Sequence, residues 1–178
     1  MLKSHLVERA FCREAESMAS QGLRSNQLSF HKGDLDSTDV VDLLQFHFDQ
    51  MRGTSPPEAC HVLPLDGLKH PVVTFWSARE KGRLVGVGAL KEIAANHGEV
   101  KSMRTAPEAL GRGIGSAVLA HIVSEARRRG YARLSLDTGS TEPFAAALRL
   151  YERDGFVPCG PFGDYQDTPF TRFFTRKL

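Results

Sequence analysis

One stretch of this chain constrains the fold more than any other. Glu99 to Thr105 reads as a strand, and Leu110-Gly111-Arg112-Gly113-Ile114-Gly115-Ser116 follows it. A helical pattern then puts Ile114, Val118, Ile122 and Ala126 on one face, Gly130 stops it, and Leu134 and Leu136 begin a new strand. A strand, helix, strand unit of this size predicts two parallel strands, hence a sheet covered by at least one helix. The glycines sit where the helix starts. There the first backbone N–H groups have no intrahelical partner, the dipole is positive, and glycine permits close approach of an anion. The segment can cradle a phosphate or diphosphate; a glycine-rich turn serving only chain geometry is the plainer alternative.

Two phosphate-binding motifs fit poorly. No Gly-Lys-Ser/Thr run exists for a P-loop. A dinucleotide site wants G-x-G-x-x-G/A directly after a strand and an acid about 20 residues on. Asp137 stands 22 residues past Gly115, but Ser116 occupies the third glycine's place and Ala106 to Leu110 intervenes. Dinucleotide binding therefore stays as a lesser alternative.

Elsewhere the punctuation predicts one domain from about residue 27 to 178, preceded by an extension, residues 1–26, that is helical or disordered. Leu28 and Phe30 alternate as a first strand. Asp36 or Ser37 can cap a helix carrying Val40, Leu44, Phe48 and Met51 and ended by Gly53. Pro56 and Pro57 open a short helix before a loop with Pro64, Gly67 and Pro71. Val72–Ser77 and Leu84–Leu90, joined through Lys81-Gly82, form a hairpin that Glu99–Thr105 extends to a three-stranded antiparallel meander. Thr141-Glu142-Pro143 starts a helix with Phe144, Ala147, Leu148 and Tyr151 on one face and Gly155 as its stop; strands near Phe156–Cys159 and Phe170–Arg176 complete a mixed sheet.

Composition removes several function classes. With 178 residues, 41% hydrophobic and 25% charged, the chain can build a core without metal or disulfides, and its three cysteines form no C-x-x-C pair. The seven histidines show no metal-ligand spacing, so no metal is expected. No apolar run reaches membrane-spanning length and the N-terminus lacks a signal peptide's apolar stretch, so a cytoplasmic protein without membrane contact is expected. The net charge of +2 is unevenly placed, because Lys101 to Arg133 holds seven bases against two acids. That excess is expected to face an anionic ligand. The bases are not interleaved with exposed aromatics, which argues against nucleic acid.

On Leu110-Gly111-Arg112-Gly113-Ile114-Gly115 and on Leu150-Tyr151-Glu152-Arg153-Asp154-Gly155-Phe156 the chain resembles the GNAT superfamily of acetyl-CoA-dependent N-acetyltransferases. The former run lies over the family's Q/R-x-x-G-x-G/A, and the latter is similar to its L-Y-x-x-x-G-F. HGEVKSMRT, RLSLDTGS and PFGDY resemble its YsnE-like bacterial subgroup. The resemblance covers about residues 27–178. It implies an α/β (α+β) fold with a mixed, centrally splayed β-sheet flanked by helices, acetyl-CoA as cosubstrate, and direct transfer to a primary amine of an acceptor expected to be a small molecule.

The resemblance also assigns residues. Gly111, Arg112, Gly113, Ile114, Gly115 and Ser116 would hold the diphosphate, and main-chain groups of Met103 and Thr105 would pair with pantetheine. Glu99, fourteen residues before Gly113, would be the base that frees the amine, directly or through water, and Tyr151 would protonate the departing sulfur. The plainer alternatives are a Glu99 paired with Lys101 and a Tyr151 that is only a core aromatic. Leu110 and Phe144 depart from the family's usual Gln/Arg and Asn. Arg104, facing away from Met103 if alternation holds, is a core-edge cation or a substrate contact. Cys159 reads as a small apolar side chain. Trp76, Phe162, Tyr165 and Phe173 line an acceptor pocket or pack the core. A non-catalytic acyl-CoA-sensing module is the alternative function, and the sequence leaves oligomeric state open, a homodimer included.

Overall fold

The computed structural model describes residues 28–54, 56 and 60–178. The extension at residues 1–26 lies outside these, as does most of the helix expected to open at Pro56 and Pro57. One sheet of seven strands runs in the order β1-β2-β3-β4-β5-β7-β6. Its strands are β1 (Leu28–Lys32), β2 (Val73–Glu80), β3 (Arg83–Ala94), β4 (His97–Thr105), β5 (Arg133–Gly139), β6 (Val157–Cys159) and β7 (Thr171–Lys177). Helix α1 (Thr38–Thr54) and the single turn α2 (Leu65–Leu68) precede β2, α3 (Ile114–Arg128) joins β4 to β5, and α4 (Ala145–Arg153) joins β5 to β6. Among the described residues only β4 and β5 pair in parallel; the other neighbours are antiparallel.

Local chemistry accounts for this order. Lys81 at φ 49° and Gly82 at φ 81° make the two-residue turn between β2 and β3, and positive φ at both central positions matches the twist of the flanking strands. On β3, Gly86 and Gly88 let α3 lie close. A Cβ on Gly86 would come 2.9 Å from Ile114, and one on Gly88 2.7 Å from Val118. The apolar face of α3 is buried throughout: Ile114, Val118, Leu119, Ile122, Val123 and Ala126.

Helix α1 packs across β4 and β3 and buries Val40, Leu43, Leu44 and His47. It runs through Gly53 to Thr54, one residue beyond the expected stop, since glycine weakens a helix without ending it where no left-handed turn follows. The carbonyl of Ser37 accepts from Val40 and Val41, but its hydroxyl donates to Asp34 rather than capping the helix. Asp34 also accepts from Ser77 Oγ (2.5 Å) and from Arg79, whose guanidinium grips Asp39 at the start of α1. Burial raises the Asp34 carboxyl, yet the bonds from Ser37, Ser77 and Arg79 and the Arg79 charge hold it down at about 2.

Asp34→Ala is expected to cost about 2–3 kcal/mol, because it strands the fully buried Ser77 hydroxyl and takes one of the two carboxylates from Arg79. That corresponds to roughly 4–12 °C in a thermal melt. A carboxyl depressed in the fold stabilises above its unfolded value and loses that contribution as pH falls toward 2. The difference between wild type and variant should therefore shrink below about pH 4; a gap unchanged at pH 3 would refute the role.

The basic excess of residues 101–133 does not gather at the glycine loop, which corrects the expectation drawn from charge counting. Arg127 to Arg129 lie at the far end of α3, a 15-residue helix spanning roughly 22 Å. Arg128 and Arg129 grip Glu125 there (2.7 and 2.8 Å), and Arg129 also donates to Thr74. Charge close in sequence is separated in space by the helix itself.

Candidate active site

At the mouth of α3, Gly111 (φ 73°) and Gly113 (φ 80°) are both left-handed, with open space where a side chain would stand. Backbone conformation, not crowding, selects glycine at both. The first intrahelical bond runs from Ala117 N–H to Gly113 O (3.1 Å). The N–H groups of Ile114, Gly115 and Ser116 thus have no intrahelical partner and face the helix end. Arg112 reaches Glu80 (2.5 Å) beside them, and Arg153 donates to Ser116 Oγ (2.6 Å). This amide-rich, cationic mouth fits a diphosphate, and no sequence signal places Arg153 there. Leu110 is 65% exposed and holds nothing.

The other half of the site lies where β4 and β5 part. Their pairing covers only His97↔Arg133, Gly98↔Leu134 and Glu99↔Ser135. Beyond it the facing edges of residues 100–105 and 136–139 lack a ladder partner across the gap, and a cleft opens between them. Met103 lines it from β4, its side chain on the α3 face beside Gly88. The Thr105 hydroxyl stands next to Gly115. Phe144, at the place of the family's usual Asn, walls the cleft, its ring so close over Gly139 that a Cβ there would be 2.2 Å away. Phe144 can supply an apolar surface but no hydrogen bond.

Tyr151 lines the cleft from α4 and is 8% exposed. Burial, then the nearby Asp137 charge, pushes its hydroxyl up to about 12. It packs edge-on against Phe156 (6.0 Å), so it is at once a core aromatic and a cleft residue.

Glu99 is fully buried and is not among the residues lining the cleft. Its Oε1 accepts from Tyr165 Oη (2.6 Å) and lies 3.3 Å from Lys101 Nζ, with Lys91 at 3.7 Å from Oε2. The pairing with Lys101 is present. Lys101 also donates to Asp137 Oδ1 (2.8 Å) and to Tyr165 Oη (3.0 Å). Burial lowers its ammonium, but the charges of Asp137 and Glu99 reverse this and hold it firmly protonated.

The other oxygen of Asp137 faces His61 Nδ1 at 2.9 Å. Burial raises the Asp137 carboxyl, yet the Lys101 charge and the bonds from His61 and Lys101 bring it to about 2. An ionised carboxylate holding Nδ1–H leaves Nε2 of His61 as the basic nitrogen. His61 lines the cleft and rests on the ring of Tyr165 (centroids 4.5 Å). Sequence reading misses His61 and finds in Asp137 only a mimic of a ribose-binding acid. Phe162, Tyr165 and Phe173 stack edge-on and tilted behind this pair, whereas Trp76 packs edge-on against His121 of α3. Burial pushes the Cys159 thiol up, so it stays protonated and apolar in behaviour.

A family model described as the acetyltransferase (GNAT) family matches residues 38–156. YsnE of Bacillus subtilis, named an uncharacterized N-acetyltransferase, is 50% identical over 145 residues, covering 82% of this chain and 96% of that protein. YedL of Escherichia coli, named in the same way, is 46% identical over 145 residues, covering 82% and 91%. Among solved structures, a GNAT family acetyltransferase from Elizabethkingia anophelis with acetyl-CoA bound has the same fold. It superposes with a TM-score of 0.61 at 17% identity, over 87% of this chain and all of that one. Among the described residues, no helix is long and apolar enough to cross a membrane.

Proposed function

The chain belongs to the GNAT acetyltransferase family, and from that premise we propose that it moves an acetyl group directly from acetyl-CoA to a primary amine of a small acceptor. The domain responsible is taken as residues 27–178. The observation that carries the reading is the parting of β4 and β5 beside an amide-lined helix start. One feature offers unpaired strand edges to an amide-bearing chain, and the other offers positive dipole to its diphosphate.

The roles follow from position. The N–H groups of Ile114, Gly115 and Ser116, with Gly111 and Gly113 allowing approach and Arg112 alongside, bind the diphosphate. Main-chain groups of Met103 and Thr105 align the pantetheine, and an N–H at Met103 polarises the thioester carbonyl. An attacking amine must be neutral, while an ordinary alkylamine titrates near 10.4, so a base shortens the wait for the free amine. His61 Nε2 takes that proton, with Asp137 fixing the ring. Glu99 acts at one remove: its charge holds Lys101 and Tyr165, which in turn hold Asp137 and His61. Tyr151 donates a hydrogen bond to the departing sulfur. With its hydroxyl near 12 and a thiol near about 8.5, Tyr151 stabilises the thiolate without surrendering its proton fully.

Calorimetry should show acetyl-CoA binding and no comparable binding of NAD, and thiol release should accelerate with some members of an amine panel. Tight NAD binding without acetyl-CoA binding would overturn the reading. Acetyl-CoA binding with no thiol release to any amine would instead favour a sensing module. Tyr151→Phe is expected to lower turnover about 10- to 100-fold while leaving acetyl-CoA affinity nearly unchanged; an unaltered turnover number would remove Tyr151 from the chemistry.

A further inference from the structure

Among the described residues, five buried side-chain nitrogen or oxygen atoms lack a hydrogen-bond partner: His47 Nδ1, Glu99 Oε2, Ser102 Oγ, Arg104 Nε and His121 Nε2. Buried polar atoms are nearly always paired, so each exception asks for an explanation. Three of the five belong to residues that line the cleft: His47 on α1, and Ser102 and Arg104 on β4. Two of them can present an N–H or O–H to a ligand without rearrangement, and the third, His47, does so in its Nδ1–H tautomer.

Arg104 stands out by charge. Lys101 has Asp137 and Glu99, and Arg79 has Asp34 and Asp39. Arg104 has no carboxylate within 4.0 Å among the described residues; it donates to the Gln50 amide (2.7 Å) and lies over the Phe46 ring (4.8 Å). Of the lysines, arginines and carboxylates that line the cleft, Lys101 and Arg104 stand against Asp137 alone, two cations against one carboxylate, and Asp137 is already held by Lys101. Burial, Arg104 and Lys101 together push His47 down to about 4, so it stays neutral and adds no competing charge.

The backbone is shaped to this end. Ser102 adopts φ 51°, and the register slips there, Ala89 facing Lys101 while Val87 faces Arg104. This bulge breaks the alternation of β4. Arg104 thereby joins Lys101 on the α1 face, while Met103 stays on the α3 face, and such re-aiming of a side chain is what bulges do.

We propose that Arg104, Ser102 and His47 form a binding site for a carboxylate on the acceptor, so that the substrates of this protein are amino acids or other amines bearing one carboxylate. The assignment rests on the reading of the cleft as an acetyl-transfer site. A single carboxylate matches both the one surplus cation and the unpaired donors, and the amine of the same molecule is left to His61. Coenzyme A cannot supply the group from its pantetheine arm, which is uncharged.

Two measurements test this. The first is calorimetry of N-acetylated L-amino acids beside their carboxamides, which needs no turnover and so reads the site even if acetyl transfer fails. The second is thiol release from acetyl-CoA with the twenty L-amino acids, each beside its amide. The acid is expected to exceed its amide about 10- to 100-fold in affinity and in kcat/KM. Arg104→Gln should abolish that preference, Arg104→Lys should restore part of it, and the KM for acetyl-CoA should stay within about twofold. Because Arg104 has no carboxylate to lose, Arg104→Gln should melt at or above the wild-type temperature. Amides binding as well as acids would overturn the proposal. So would an Arg104→Gln variant that loses acetyl-CoA rather than acceptor, which would assign the guanidinium to the coenzyme. An acid preference without any thiol release would keep the carboxylate site and refute acetyl transfer instead.

Discussion

Lys101→Met should unfold far more readily than wild type, by about 3–5 kcal/mol, or roughly 6–20 °C in melting temperature. The lysine is 5% exposed and lies between Asp137 (2.8 Å) and Glu99 (3.3 Å), which are themselves 11% and 0% exposed. A methionine fills the space but leaves two buried carboxylates without their shared cation, and desolvation then dominates both. Lys91 still lies near Glu99 and His61 still bonds Asp137, so the loss is large without being total. The pH dependence gives the sign. In wild type Asp137 is held near 2, so its contribution is present above about pH 4 and lost as pH falls toward 2. In the variant the Lys101 charge that holds Asp137 down is gone while its burial still opposes ionisation, so Asp137 destabilises the fold progressively as pH rises. The gap between variant and wild type should therefore narrow from pH 7 to pH 5. Adding Glu99→Gln to Lys101→Met should recover part of the lost stability. A gap independent of pH, with no recovery in the double variant, would mean that the cation is not what holds these strands at the cleft.

The strand, helix, strand unit is legible because its signals are local. Gly113 and Gly130 stand where the chain turns left-handed, and Ile114, Val118, Ile122 and Ala126 repeat at the period of the helix they bury. Lys81-Gly82 marks its hairpin for the same reason. The bulge at Ser102 carries no such mark, since serine is not a residue that positive φ selects. Packing between β3, β4 and the helices on either face imposes it. The face of Arg104 relative to Lys101 is therefore out of reach of the sequence, although alternation does set it opposite Met103. Counting charge by segment fails for a related reason. A helix carries residues near in sequence to opposite ends of the molecule, and Arg127 to Arg129 lie far from the loop, with Arg128 and Arg129 paired to Glu125.

The site divides along the same line. Its glycine loop is contiguous, whereas the polar cluster is assembled across the fold. His61 lies 76 residues from Asp137, and Tyr165 lies 66 from Glu99. No spacing rule joins such pairs. His61 sits in a proline-rich loop with no periodicity, so nothing marks it. Asp137 does carry a usable signal, because it lies in the C-terminal half of β5 just past the parallel pairing, where α/β sheets place their ligands. The family assignment to Glu99 and the geometry differ in what each can address. Motif position names a residue, while burial shows which atoms an acceptor can touch, and Glu99 reaches the cleft only through Lys101 and Tyr165.

His61→Gln should lower turnover by about 10²- to 10⁴-fold, the usual range for a lost general base, with acetyl-CoA affinity unchanged. Glutamine keeps a polar side chain that can still donate to Asp137, so the fold and the Lys101 network should survive. What it cannot do is accept a proton. If His61 is the base, His61→Gln can use only amine that is already neutral, so its kcat/KM follows the amine's own ionisation alone. At high pH, where the free amine is abundant, the variant should recover a larger share of wild-type activity than at neutral pH. Asp137→Asn offers the complementary case: the amide cannot hold the imidazole in the Nδ1–H tautomer as a carboxylate does, so the loss should be similar though the imidazole remains. Glu99→Gln separates the alternatives. If Glu99 itself receives the proton, its variant takes the larger loss and regains activity where the free amine is abundant, and His61→Gln does not. If Glu99 only holds Lys101 and Tyr165, its variant lowers turnover less and shows no such recovery, because the nitrogen that takes the proton is still there.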